Sequence, residues 1–151
     1  MCAGGAANQA IALARLGAPV RLHSRVGVDQ MGVFVDEMLA REGVDTSSCE
    51  RVGDQNVTVS LSFDGDRAMT TRGTTALPLL GGDAPGCLLA DVRGIGANSE
   101  VVSSWRARGT WVLVDTAWDE AGAWDEADLE ALHLADVCTP NEEEALAYAR
   151  T

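Results

Sequence analysis

Two periods of apolar and polar positions alternate along the chain, and each switch marks an element. "AANQAIALARL", residues 6–16, is rich in Ala and Leu, and Gly17 with Pro19 supplies a stop, so a helix is predicted there. "VRLHSRVG", residues 20–27, places Val20, Leu22 and Val26 among polar residues and predicts a short strand. In "DQMGVFVDEMLAREG", residues 29–43, Met31, Phe34, Val35, Met38 and Leu39 recur at helical spacing. Asp29 is expected as N-cap and Gly43 as C-cap of that helix, with the five apolar residues as its buried stripe.

From Val57 the period drops to two. "VTVSLSF" and "RAMTTRG" flank "DGD", which predicts an antiparallel hairpin. The Gly-rich stretch 79–100 reads as a loop holding at most one strand, without any repeat. A helix over 100–109 follows, then "TWVLVDT" (110–116) as a strand buried on both faces. A helix over 125–135, a short strand in "DVCTP" (136–140) and a helix from Asn141 complete the series. Strands alternating with helices argue for one α/β domain over 1–151 with a parallel, doubly wound sheet, the hairpin standing outside that rhythm as a flap or edge sheet.

Composition narrows the function classes. With 46% hydrophobic residues in 151, the chain can build a sizeable core. No apolar run approaches the ~18 residues of a membrane span, and residues 1–20 lack signal-peptide character, so a cytoplasmic location is expected. A formal charge of −12 repels nucleic acid and anionic lipid, so neither nucleic acid nor membrane is an expected partner. Cys2, Cys49, Cys87 and Cys138 are scattered singly, which predicts reduced, mostly buried thiols rather than zinc or a disulfide framework. The acidic run "DEAGAWDEADLE" is expected to be a solvated helix face or helix start.

Two spots could carry chemistry. Gly4 and Gly5 leave backbone bare for a ligand, and the amide of Asn8 can donate to and accept from a hydroxyl, as polyol recognition needs. The other reading of this spot is a glycine turn entering a helix with Asn8 as its cap. Its spacing is not that of a dinucleotide-binding loop. In "TPNEEEA", Asn141 and Glu144 lie three apart on one face of a helix, where an amide and a carboxylate can hold a hydrated magnesium ion near phosphate. Acids favoured by the helix dipole are the alternative there.

In this order, with a hairpin between them, the two spots resemble the PfkB family of carbohydrate kinases, the ribokinase-like sugar kinases. The resemblance rests on "GGAANQAIALARLGAPVRLHSRVGVDQMG" with Gly17, Gly27, Asp29 and Gly32, on "LAREGVDTS", on "VTVSLSFDGDRAMTTRG", on "VLVDTAWD" and on "TPNEEEA", which is similar to the family's N-x-x-E motif. It implies a Rossmann-like three-layer α/β/α sandwich with a mostly parallel sheet and a small β-hairpin lid, here about residues 56–73. The lid would close over a sugar and could pair two copies into a homodimer. Gly4, Gly5 and Asn8 would contact sugar hydroxyls. Asn141 and Glu144 would organise Mg2+ and the phosphates of ATP, Glu144 being the metal residue. Asp29 is expected to be structural, and Asp115, at the end of a predicted strand, either faces ligand or serves as a cap or loop residue.

Departures from the family pattern shape the functional expectation. The family's first strand, which delivers an aspartate to the sugar, has no counterpart before the glycine pair. No G-A-G-D, the motif that supplies the general base and the anion hole, occurs in the sequence. The stretch "GGDAPGCLLADVRGIGANSE" reproduces poorly the family's strand and ligand-contacting loop. The expectation is therefore a truncated member with exposed apolar edges, derived from an ATP-dependent kinase acting on a furanose, ketose, sugar acid or nucleoside, and inactive by itself. The contrasting expectation is a non-catalytic remnant that binds sugar weakly or pairs through its lid.

Overall fold

The computed structural model describes residues 4–64, 66–73, 77–117, 119 and 122–149. The chain forms two compact units, Met1–Pro78 and Leu79–Thr151.

In the first unit, α1 (Gly5–Arg15) buries Ala10 and half-buries Ala7, Ile11 and Ala14, the i, i+3, i+4, i+7 stripe of an amphipathic helix. It stops where Gly17 turns left-handed (φ 86°), and the amides of Gly17 and Ala18 donate back to Ala14 and Leu13. The second helix, α2 (Gln30–Arg41), starts as expected on Asp29, whose carboxylate accepts from the Gly32 amide at 2.8 Å, and ends with Gly43 at φ 80°.

The predicted stripe of α2 is corrected: Met31 and Phe34 are 47% and 53% exposed, whereas Gly32 and Leu39 are buried and Val35 and Met38 half-buried. The cap fixes the first turn so that Gly32 faces inward, and positions three and seven residues on follow it. The expected strand over 20–27 pairs at only two places, at Arg21 opposite Asp45 and through β1 (Arg25–Val26), which lies parallel to an unpredicted β2 (Glu50–Arg51). Between them, the turn from Thr46 to Cys49 interrupts the ladder.

The hairpin is as expected. Strands β3 (Val57–Phe63) and β4 (Asp66–Arg72) pair antiparallel from Val57 opposite Arg72 to Phe63 opposite Asp66 and form a sheet of their own. This register places Val59, Leu61, Phe63, Ala68 and Thr70 on one face, exposed, and Thr58, Ser60, Ser62, Met69 and Thr71 on the other, where Met69 is 60% exposed.

The second unit is a three-stranded parallel sheet in the order β5 (Cys87–Asp91), β6 (Trp111–Asp115), β7 (Val137–Cys138). Helices α3 (Val92–Ala97) and α4 (Ser99–Arg106), then α5 (Glu126–Glu130) running into a 3-10 turn at Ala131–Leu134, complete it together with α6 (Glu142–Ala149). Val92, Ile95, Val102, Trp105, Ala131 and Leu134 close over Leu88, Val112 and Val114 to make the core.

Four expectations are corrected here. Residues 79–100 contain a full strand and a helix: Asp91 caps α3 through the Gly94 amide at 2.6 Å, and buried Asn98 accepts from the Leu80 amide while donating to the Gly94 carbonyl. Gly81, Gly82 and Gly86 do lie in a loop ahead of β5, but Gly94 and Gly96 lie inside α3, where Gly96 faces Ala131 across the packing. Strand β6 is not buried on both faces: Val112 and Val114 are, but Leu113 is half-buried and Trp111 is 61% exposed, because the helices of the core pack on one side. The helix over 125–135 is only five residues of α-helix before it tightens. Of the three described cysteines, which are free, Cys49 is buried, but Cys87 and Cys138 sit exposed at the start of β5 and on the edge strand β7; Cys2 lies outside the described residues, as do Arg150 and Thr151 of the expected last helix. No helix among the described residues is long and apolar enough to cross a membrane.

Candidate functional site

In the first unit, Gly4 is the N-cap of α1 at φ 124° and offers no side-chain cap. A Cβ built on Gly4 or Gly5 would meet no atom of the described residues within 4 Å, so among them the backbone there is open. Asn8 is exposed and lies one turn into the helix, its amide N–H donating to the Gly4 carbonyl at 3.0 Å. It does not cap α1, and no described residue hydrogen-bonds its side chain.

A separate cleft of about 410 Å³ opens at the base of the hairpin, among Arg25, Gly27, Gly53, Gln55, Arg72 and Gly73. Its guanidiniums are paired, Arg25 with Glu50 at 2.9 Å and Arg72 with Asp54 at 2.7 Å. No local pattern in the sequence marks this cleft, because its walls come from segments far apart in the chain.

In the second unit the candidate residues gather at the C-terminal edge of the parallel sheet, the edge where open α/β sheets bind ligands. Asn141 and Glu144 form a reciprocal capping box at the start of α6. The Asn141 Oδ1 accepts from the Glu144 amide at 2.8 Å, and the Glu144 Oε2 accepts from the Asn141 amide at 3.1 Å. Glu144 is only 6% exposed, and its Oε2 also accepts from the Thr116 hydroxyl at 2.6 Å. Thr116, which sequence reasoning did not single out, stands one residue beyond β6 and is 5% exposed. Asp115 takes a turn role: its Oδ1 accepts weakly from the Ala117 amide at 3.4 Å.

These contacts divide the two side chains chemically. Asn141 has spent its amide oxygen on the helix, which leaves its NH2 as a donor suited to an anion. Glu144 has both protein hydrogen bonds on Oε2, which leaves Oε1 as the acceptor suited to a cation or to water bound to one. One carboxylate oxygen beside an amide NH2 is a sparse donor set, which an ion that keeps most of its water, such as Mg2+, could use; among the described residues no group of three or more His, Cys, Asp or Glu side chains could hold a metal.

Part of the run expected to be a solvated face instead braces α6. Buried Asp119 accepts from the amides of Ala123 and Trp124 at 2.7 and 2.8 Å and pairs with Arg93 at 2.9 Å. Arg93 also reaches Asp128 at 3.4 Å, and Asp128 accepts from the Tyr148 hydroxyl at 3.1 Å. Trp124 meets the Tyr148 ring edge to face at 5.1 Å. Hydrogen bonding to Asp119, with Asp128 adding to it, raises the Arg93 guanidinium above its ordinary value.

Burial first, and then the hydrogen bond to Asp128 and its charge, push the Tyr148 phenol up to about 12. The raised value favours the neutral phenol. Its contribution to stability is thus complete below the unfolded value of about pH 10 and is lost as pH rises towards the folded one. Tyr148 is the single tyrosine, so an absorbance titration of tyrosinate reads it directly. The folded protein is expected to show a midpoint near 12, lowered in Asp128→Asn; a folded-state midpoint at the unfolded value would contradict this environment.

Comparison with known proteins gives the chain its family. Residues 1–76 match the pfkB family carbohydrate kinases, and the chain belongs to that family. Over 56 residues it is 46% identical to a 2-dehydro-3-deoxygluconokinase of Bacillus subtilis, a match covering 37% of this chain and 17% of that one. A fructokinase with bound ATP from Xylella fastidiosa superposes with a TM-score of 0.81 at 26% identity, covering 99% of this chain and 53% of the other. A fructokinase from Vibrio cholerae gives 0.73 at 27%, covering 97% and 58%. A sugar kinase from Pyrococcus horikoshii in complex with ATP gives 0.80 at 20%, covering 97% and 56%. The chain thus spans about half the length of these structures. Its fold is that of the ribokinase-like kinases, mixed α/β with parallel sheets and a separate antiparallel hairpin.

Proposed function

We propose that the chain is part of an ATP-dependent carbohydrate kinase that transfers the γ-phosphate to a sugar hydroxyl. The observation that carries this reading is the arrangement at Glu144. In a chain of this family, a buried carboxylate at the ligand-binding edge of a parallel sheet keeps one oxygen uncommitted, next to the free amide NH2 of Asn141. Glu144 Oε1 would hold Mg2+ through its water, and the Asn141 NH2 would hydrogen-bond a phosphate oxygen of ATP. Bound there, Mg2+ supplies neutralisation of phosphate charge, which together with positioning makes up most of phosphoryl-transfer catalysis.

Gly4, Gly5 and Asn8 would take the sugar: two open glycines allow close approach, and an unengaged amide can pair with a hydroxyl in both senses. The acceptor's general base, which the family supplies from its G-A-G-D motif, has no counterpart in these 151 residues. Turnover is accordingly expected of a polypeptide that includes one, and ligand binding alone of this chain. A second copy of the chain is a partner this reading accommodates, through the apolar hairpin face of Val59, Leu61 and Phe63.

The test is ATP-dependent phosphorylation of a sugar panel by the complete gene product. The panel includes 2-dehydro-3-deoxygluconate and fructose, the acceptors in the names of its relatives, with ribose and adenosine beside them. At least one is expected to be phosphorylated in a Mg2+-dependent manner. Glu144→Gln is expected to raise the Mg2+ concentration required by about 10- to 100-fold, the range for losing a group that orients a metal's ligands. No phosphorylation of any member, or an unchanged Mg2+ requirement in that variant, would overturn the assignment.

A further inference from the structure

We propose that Thr116 is a positioning residue for Glu144, fixing its carboxylate so that the protein holds Oε2 and Oε1 faces the cation. The inference rests on the reading of Glu144 given above and adds the device that orients it.

Burial sets the requirement. A carboxylate as enclosed as that of Glu144 gives up most of its water and needs hydrogen-bond donors of the protein in its place. Two donors satisfy it, the Thr116 hydroxyl at 2.6 Å and the Asn141 amide at 3.1 Å, and both reach the same oxygen. The Asn141 bond belongs to the capping box and arises wherever this helix start forms. The Thr116 bond is different, because it crosses 28 residues of sequence and arises only where β6 and β7 lie side by side.

It is also the shorter of the two, at the length of a charge-assisted O–H to carboxylate bond. Threonine is well suited to aim a hydroxyl, because its branched β-carbon restricts χ1 and so limits where the oxygen can point. With Oε2 held from two directions, the plane of the carboxylate is set, and with it the direction of Oε1. A valine at 116 would keep the shape and the packing but leave the carboxylate tied only to its own helix.

Mn2+ alone is the probe, and its paramagnetic broadening of the amide signals of residues 141–145 in this chain is the readout, so no turnover is needed. Exposed Glu142 and Glu143 will also gather ions, and Glu144→Gln measures that background. The wild-type chain is expected to show broadening beyond this background. Thr116→Val is expected to need about 10-fold more Mn2+ for the same effect, the low end for loss of a residue that orients a metal ligand. Thr116→Ser, which keeps the hydroxyl, is expected to stay close to wild type. Should Thr116→Val not fold, Thr116→Cys, a poor donor of similar size, replaces it.

If Glu144→Gln broadens as the wild type does, the reading of Glu144 itself is wrong. If Glu144→Gln loses the effect while Thr116→Val retains it, that reading stands and the positioning role is refuted. A loss in Thr116→Ser equal to that in Thr116→Val also refutes it, since the hydroxyl would then be irrelevant.

Discussion

Trp105→Ala is expected to destabilise the second unit by about 3–5 kcal/mol, the usual cost of removing a buried tryptophan from a packed core. Trp105 lies on α4, is 3% exposed, and belongs to the cluster that joins Val92 and Ile95 of α3, Val102 of α4, Val112 and Val114 of β6 and Leu134. Truncation removes the transfer energy of the indole and leaves a void that the rigid strand side of the cluster cannot collapse to fill. Because domains are stable by only about 5–15 kcal/mol in total, the loss takes a large share. Denaturant unfolding followed by far-ultraviolet circular dichroism checks it, and Trp105→Phe should recover much of the difference. A change below about 1 kcal/mol would show that this core is not what holds the unit together.

Gly32→Ala should be comparably damaging for an opposite reason. A Cβ on Gly32 would lie 1.9 Å from the Gly27 carbonyl oxygen, and one on Gly27 would lie 2.3 Å from the Gln55 amide nitrogen. Three backbone segments are stacked too closely for any side chain, and the Gly27 amide donates to the Gln55 side-chain oxygen at 2.9 Å within that stack. Neither backbone can yield as a flexible side chain would, so the cost is at or above the ~1–3 kcal/mol typical of overpacking. The Asp29 cap on the Gly32 amide should be displaced as well. Loss of slow hydrogen exchange at Gly32 and Val33 in the variant, with the second unit's amides unchanged, is the expected signature; a wild-type exchange pattern would sink the prediction.

Elements set by neighbours in sequence were legible. The cap of Asp29, the stops at Gly17 and Gly43, and the hairpin about Asp64 depend on side chains and dihedrals a few residues apart, and the structure has each where its pattern predicts. The pairing of Asn141 with Glu144 was equally visible as a spacing of three, although neither reading of it, a magnesium-holding pair or acids favoured by the helix dipole, included the capping box the two form. Misreadings had a common origin. The burial of Met31, Phe34 and Trp111 was inferred from hydrophobicity, which says that a residue can be buried and not whether another element arrives to cover it. The glycines of α3 looked like loop residues because a single chain segment does not disclose that Ala131 packs against one of them.

The order and kind of most elements, and the family, could be read from short stretches of the sequence. Local propensity and capping act over a few residues, so a short stretch of chain contains all that they need. Folding in three dimensions was required to show that Gly27 and Gly32 are glycines because backbones meet there, that Asp119 clamps Arg93, and that Thr116 takes one oxygen of Glu144 and leaves the other. Those contacts join residues brought together by strand pairing and core packing, and their energies depend on burial, which no stretch of sequence possesses until the chain has folded.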